Sequence, residues 1–313
     1  MPSISDTAYP RLKITPSAKE LEEIYTPILN ELSFAEERTR RVHHRAYLLV
    51  LLKTFQRLCY FAIFSEIPWL IIDHITKCVG LTNVSEQLIV YDTTTARERH
   101  KALIRKFVGV NPFGKEARQV IINTCTKASG TRDDLPDIIN IAIEELIKQR
   151  YELPAFSALL RLARSARSKV NSGYYDLIYG SMDASVKKSL LNVLKLPEGE
   201  SRSPFDKIKN EPGRLTVPEF KDSLDHLKWL QDKNIAINAF SNTPELKIRQ
   251  FAAEARSLDL SSLNDIPERK RFVLVAALIL KQVARSLDDV TNMFIPGLLT
   301  DPWASPNDLS KIE

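Results

Sequence analysis

The residues of this chain best suited to chemistry are rows of cations at helical spacing, and the chemistry they offer is recognition of a polyanion. In YDTTTARERHKALIRKFVGVNPF, residues 91–113, Arg97, Lys101 and Arg105 recur every four residues, with Arg99 and Lys106 flanking and His100 between the faces. Side chains four apart share one side of a helix, while Ala96, Leu103, Ile104 and Phe107 make an apolar stripe on another. A cationic row anchored by an apolar back can bind a phosphate backbone, because each phosphate neutralised releases counterions. A second row follows in AFSALLRLARSARSKV, residues 155–170, where Phe156, Leu159, Leu160, Ala163 and Val170 point inward and Arg161, Arg164, Arg167, Ser168 and Lys169 remain outside. A third group, Arg38, Arg40, Arg41, His43, His44 and Arg45, precedes a long apolar run. Arginine and lysine also populate any solvated helix face, so an ordinary surface is the competing reading of each row.

Other chemistry finds little support. There is no Gly-x-Ser-x-Gly, Walker loop, His-Glu-x-x-His or Gly-x-Gly-x-x-Gly, and no catalytic residue or cofactor is expected. Adjacent His43 and His44 point about 100° apart on a helix and have no carboxylate or cysteine at matching spacing, so no metal site is expected. Cys59, Cys78 and Cys125 are odd in number and lack Cys-x-x-Cys spacing, and they read as small buried residues in a reducing compartment.

The elements that must carry these rows are helices. Only 9 glycines among 313 residues disfavour turn-rich β architecture, and the class expected is all-α: two helix-turn-helix-like units followed by a third helical domain. The boundaries expected are 1–110, 111–196, a Pro, Gly and Ser-rich linker at 197–217 with Phe205 and Ile208 docked on a neighbour, and 218–313. Ser17 caps a helix through KELEEIY, and Ser33 with Glu36 forms a capping box that opens one long helix, FAEERTRRVHHRAYLLVLLKTFQRLCYF. Pro68 begins a helix closed by Gly80, and a short segment near SEQLIVY leads to the basic helix, framed by Thr93 to Thr95 and by Gly109. Asp133 and Asp134 start the helix before the second basic row, and Tyr151 to Pro154 make the turn between them. Tyr174, Tyr175 and Tyr179 read as packing residues rather than base-stacking ones. The last helix is apolar over Phe272 to Leu280 and is expected to stop at Pro296 and Gly297, before a polar tail.

Charge and hydropathy narrow the partner. Residues 33–175 carry 22 Lys and Arg against 14 Asp and Glu, whereas the rest carry 22 against 25, so the overall +5 is concentrated in the first half. The start MPSISDTAYPRLKITP shows no secretory pattern, and the run from Ala46 to Phe64 has Lys53, Gln56 and Arg57 in its middle, which makes it a buried helix rather than a membrane span. A cytoplasmic protein that does not cross the membrane is expected.

The order of segments resembles the N-terminal region of the Tn-three family of replicative bacterial transposases from about Tyr9 to Pro296. RRVHHRAYLLVLLKTFQRLCYF is similar to the family's basic, then apolar, opening helices, and YDTTTARERHKALIRKFVGVNPF to its Tyr, Arg-rich, His and Gly-x-x-Phe segment. ELPAFSALLRLARSAR resembles its Leu-Pro turn and arginine helix, and RSPFDKIKNEPGRL and ERKRFVLVAALIL its later landmarks. The chain departs where the family usually has Asn-Arg-Leu-Gly-Phe and it has His44-Arg45-Ala46-Tyr47-Leu48. The resemblance implies a helical module recognising the terminal inverted repeats of a transposon as double-stranded DNA, nucleoid-associated in a bacterium. It also implies self-association through the remainder of a transposase, and catalysis in a downstream domain whose carboxylate triad has no counterpart before Glu313. The contact candidates are Arg40, Arg41 and Arg45, then Arg97, Arg99, His100, Lys101 and Arg105, and Arg161, Arg164, Arg167 and Lys169. An all-α protein-binding scaffold with solvated arginine faces is the alternative, and RNA binding finds no aromatic-bearing sheet module.

Overall fold

The computed structural model describes residues 3–81, 91–200, 202–211, 216–235 and 237–300. Among them there is no strand; the only pairing of that kind is an isolated bridge between Asn111 and Tyr151, and the fold is all-α. The chain divides into two compact units, Met1–Ala128 with Asp134–Ala166, and Ser129–Asp133 with Arg167–Glu313.

After a short 3-10 turn, Ile4–Asp6, the first unit continues with α1, Ala18–Glu20 extended in wider π turns as Leu21–Tyr25. Ser17 caps it as expected: its hydroxyl accepts from the Glu20 amide, and the Glu20 carboxylate returns to the Ser17 amide. The single long helix expected from Ser33 does not form. Instead α2 spans Leu29–Arg38 and α3 spans Val42–Leu58, with Ser33 inside α2 rather than capping it. The break comes at Thr39, whose extended backbone (φ −133°, ψ 134°) ends α2 while its hydroxyl donates to the Ala35 carbonyl at 2.6 Å. Arg41, also extended, then starts α3. A sequence pattern reads propensity, and Thr-Arg-Arg contains no glycine or proline to announce such a turn.

Helix α3 is the axis of one core. Leu48, Leu49, Val50, Leu51 and Leu52 are all fully buried, each Leu contributing roughly 1.5–3 kcal/mol on removal from water. Lys53, which argued against a lipid-facing helix, is buried in an ion pair with Glu31 at 3.2 Å, and Gln56 also donates to that carboxylate at 2.7 Å. No helix among the described residues is long and apolar enough to cross a membrane. Helices α4 (Trp69–Lys77) and α5 (Thr95–Val108) both pack on α3. The segment expected near SEQLIVY lies outside the described residues, apart from Tyr91.

A second core gathers α6 (Lys115–Ser129), α7 (Leu135–Lys148) and the start of α8 (Phe156–Ser181) around Ile121, Ile138, Ile139, Leu146 and Leu159. The N-terminal segment docks there, with the Tyr9 hydroxyl donating to the Pro154 carbonyl at 2.7 Å. Of the three cysteines expected to be buried, Cys125 is, Cys59 is half-buried, and Cys78 is exposed at the end of α4, where its thiol donates to the His74 carbonyl.

The second unit comprises the rest of α8 with α9 (Ala184–Val193), α10 (Pro204–Ile208), α11 (Val217–Gln231), α12 (Glu245–Ser257), α13 (Leu260–Asn264) and α14 (Glu268–Thr300). Its core is built on the fully buried run from Phe272 to Ile279. Phe205 and Ile208 are also fully buried, on a helix capped by Ser203 and Asp206. Tyr175 packs on Phe251 and Tyr179 on Phe272. Lys247, with no exposed surface, donates at 2.8 Å to both Asp133 and Asn171. Helix α14 does not stop at Pro296 and Gly297 but continues to Thr300; a proline removes one amide donor without forbidding the next turn. The expected polar tail, residues 301–313, lies outside the described residues.

Candidate nucleic-acid interface

Helix α5 is framed as its sequence requires. The Thr94 hydroxyl accepts from the Arg97 amide, and Gly109 ends the helix in the left-handed region at φ +71°. Its faces, however, divide differently from expectation. Arg97 is buried, with 6% of its surface exposed. Its guanidinium donates to the Ala62 carbonyl at 2.9 Å, and Nε lies 2.8 Å from Asp92 Oδ1, close enough to pair electrostatically though out of line for a hydrogen bond. The other Asp92 oxygen accepts from the Phe64 amide at 2.8 Å, so Arg97 ties α5 to the segment after α3.

Lys101 and Arg105 are half-buried over the Phe61 ring, and they pair with Glu98 at 2.8 Å and Glu152 at 2.7 Å. The row expected on an open face is therefore an inner and flanking row. The reason is geometric: seven residues fall about 20° short of two turns, so Arg97 shares the face of fully buried Ile104.

Arg99, on the other side of α5, faces the break between α2 and α3. Arg38 from the end of α2, Arg40 and Arg41 from the break and Arg99, His100, Ala96 and Leu103 from α5 line one cleft of 470 Å³, together with Thr39 and His44. All four arginines are exposed, and among the described residues none of them is paired with a carboxylate. The start of α3 adds its own partial positive charge beside them, since Arg41 makes no side-chain cap to its amides. Arg45 turns away and pairs with Glu36 at 3.0 Å.

Two imidazoles lie among these cations, and both are less basic than usual. Burial lowers the His44 pKa, aided by His43, Arg41 and Arg99, and burial lowers that of His100 to about 4, aided by His44 and Arg99. The two rings meet edge to face at 6.0 Å, and His100 Nδ1 lies 2.5 Å from the Tyr91 hydroxyl. Among the described residues no three His, Cys, Asp or Glu side chains gather as a metal site.

The structure thus brings Arg40, Arg41, Arg99 and His100 together and adds Arg38 and His44, which were not among the contact candidates. Their proximity in sequence to Arg40 and Arg41 was the available signal. The second row is less open than expected. Arg161 and Lys169 are exposed, Arg164 is half-buried, and Arg167 donates to the Asp133 carbonyl at 2.9 Å.

Residues 2–166, which hold the whole cleft, match the family described as Domain of unknown function (DUF4158). The chain belongs to the DUF4158 family. Its curated relatives include the transposase for transposon gamma-delta of Escherichia coli strain K12, 23% identical over 204 residues, covering 64% of this chain and 20% of that protein. The transposase for transposon Tn501 of Pseudomonas aeruginosa is 20% identical over 229 residues, covering 73% of the chain and 23% of the relative. The transposase for transposon Tn3926 of Escherichia coli is 18% identical over 197 residues, 63% and 20% respectively. This DUF4158 chain is transposase-related, as its resemblance to the Tn-three family implied, and it spans about a fifth of the length of the curated relatives it matches.

Proposed function

We propose that this chain is a DNA-binding part of a transposase-related protein, acting on duplex DNA at the terminal inverted repeats of a mobile element. The observation that carries the reading is the cleft of Arg38, Arg40, Arg41 and Arg99, four guanidiniums without carboxylate partners among the described residues around one opening. Such charges repel one another unless an anion enters, and a phosphate backbone supplies anions at regular spacing. In this reading α5 and α8 belong to two helix-turn-helix-like units. Arg40, Arg41, Arg99 and His100 meet one stretch of the repeat, and Arg161, Arg164 and Lys169 another. Arg45, Arg97, Lys101, Arg105 and Arg167, engaged by carboxylates or carbonyls, hold the scaffold or reach DNA by exchanging those partners. No catalytic step is assigned to the chain, which would act on the bacterial nucleoid and associate through the rest of a transposase.

The test is fluorescence anisotropy of the full chain with a labelled terminal-repeat duplex and a scrambled duplex of equal length. The expected result is tighter binding to the repeat. Equal, weak binding to both would reject repeat recognition, and no binding to either would reject the DNA reading altogether.

A further inference from the structure

The floor of the cleft holds an arrangement more specific than a cationic surface. Tyr91 is buried, and its hydroxyl has one partner among the described residues, His100 Nδ1. A buried hydroxyl left without an acceptor costs about 1–3 kcal/mol, so the hydroxyl hydrogen belongs in this bond and Nδ1 accepts it. A neutral imidazole that accepts at Nδ1 carries its proton on Nε2. His100 is itself buried, with 6% of its surface exposed, and it lines the cleft; its Nε2 has no partner among the described residues. His44 meets it edge to face, as one ring against another. The result is an uncharged N–H donor on a buried residue that lines the same cleft as the exposed Arg41 and Arg99.

We propose that this cleft is a built phosphate site in which His100 donates its Nε2 hydrogen to a phosphate oxygen while Arg38, Arg40, Arg41 and Arg99 neutralise the charge, with Tyr91 as the residue that sets the His100 tautomer. This rests on the DNA-binding reading, and it assigns the cleft to backbone positioning rather than base readout. A neutral donor suits backbone positioning because it directs one hydrogen at a phosphate oxygen without adding a fifth charge to four already crowded cations. Because His100 titrates at about 4, it remains such a donor throughout the neutral range.

Imidazole nitrogen NMR of the full chain at pH 7 tests the arrangement, with His100 assigned by comparison with His100→Gln. The expected spectrum shows Nε2 protonated and Nδ1 bare. Inorganic phosphate should move the His100 Nε2 resonance saturably, and the shift should vanish in Arg41→Gln/Arg99→Gln. Tyr91→Phe should allow the other tautomer to appear and weaken phosphate binding several-fold, while His100→Gln, which retains an N–H donor, should bind better than His100→Ala. Circular dichroism checks the variants, and the wild-type arm does not depend on them. A bare Nε2, or no saturable response to inorganic phosphate, would overturn the proposal. The same samples separate it from the broader reading. A terminal-repeat duplex that binds without moving His100 leaves DNA binding in place and sinks the cleft assignment; phosphate that binds where duplex does not makes the cleft a site for free phosphate and sinks the DNA reading. A duplex with uncharged methylphosphonate linkages should bind and shift His100 less than the natural duplex, and equal binding would overturn the assignment to backbone phosphate.

Discussion

Arg97 and Arg99, two residues apart on one helix, have opposite roles. Arg97 bridges Asp92 and the Ala62 carbonyl in the interior, so Arg97→Ala leaves a largely buried carboxylate uncompensated and should cost roughly 3–5 kcal/mol. Lysine should not restore it, because a point charge cannot span both partners. Arg99→Ala should change stability by no more than about 0.5 kcal/mol while weakening DNA binding. Urea unfolding beside anisotropy distinguishes the two outcomes. His100 adds a pH signature. Its pKa is about 4 in the folded chain against 6.5 ordinarily, so between those values the unfolded chain holds a proton that the folded chain does not. This contribution to stability is complete above pH 6.5 and is lost as the pH falls toward 4, by up to about tenfold in the folding equilibrium per pH unit. Urea midpoints measured from about pH 7 to about pH 5 should fall more steeply for the wild type than for His100→Gln. That Arg97 is interior was legible in the sequence, in its seven-residue distance from Ile104, but the four-residue row pointed to the wrong face.

Among the elements, the break between α2 and α3 does most to make the site, since it takes Arg40 and Arg41 off a continuous helix and places them, with Arg38 at the end of α2, beside α5. The extended Thr39 and its hydroxyl bond to Ala35 hold the break, and Thr39→Val should lose about 0.5–1.5 kcal/mol of stability by urea unfolding. The other end of α5 is fixed by Gly109 at φ +71°. An added Cβ would meet Arg150 only at an ordinary 3.5 Å, so Gly109→Ala is expected to cost about 1 kcal/mol through backbone strain rather than a clash, read as a lowered melting temperature. Caps such as Ser17, Thr94 and Gly109 were readable because a cap is a local rule. The break was not, because Thr39 turns under tertiary packing and the residues around it would all tolerate a helix. The same holds for α14, which passes the proline expected to end it.

For the molecule as a whole, scarcity of glycine and helical periodicity were enough to establish an all-α class, and the basic excess of residues 33–175 includes every residue of the cleft. What composition could not place was the meeting of Arg38, Arg40 and Arg41 with Arg99, far apart in sequence and joined only because α2, α3 and α5 share a core. Likewise Lys247, unremarkable in the sequence, became a fully buried partner of the distant Asp133 through folding. Whether the four-arginine cleft is where DNA phosphate is held is decided by the salt dependence of duplex binding in wild type and in Arg38→Gln/Arg40→Gln/Arg41→Gln/Arg99→Gln. Each phosphate contact contributes about 0.9 to the slope of log affinity against log salt, so the wild type should show a steep slope and the variant, folded by circular dichroism, one shallower by roughly two to four. Identical slopes and affinities in the two proteins would contradict the claim.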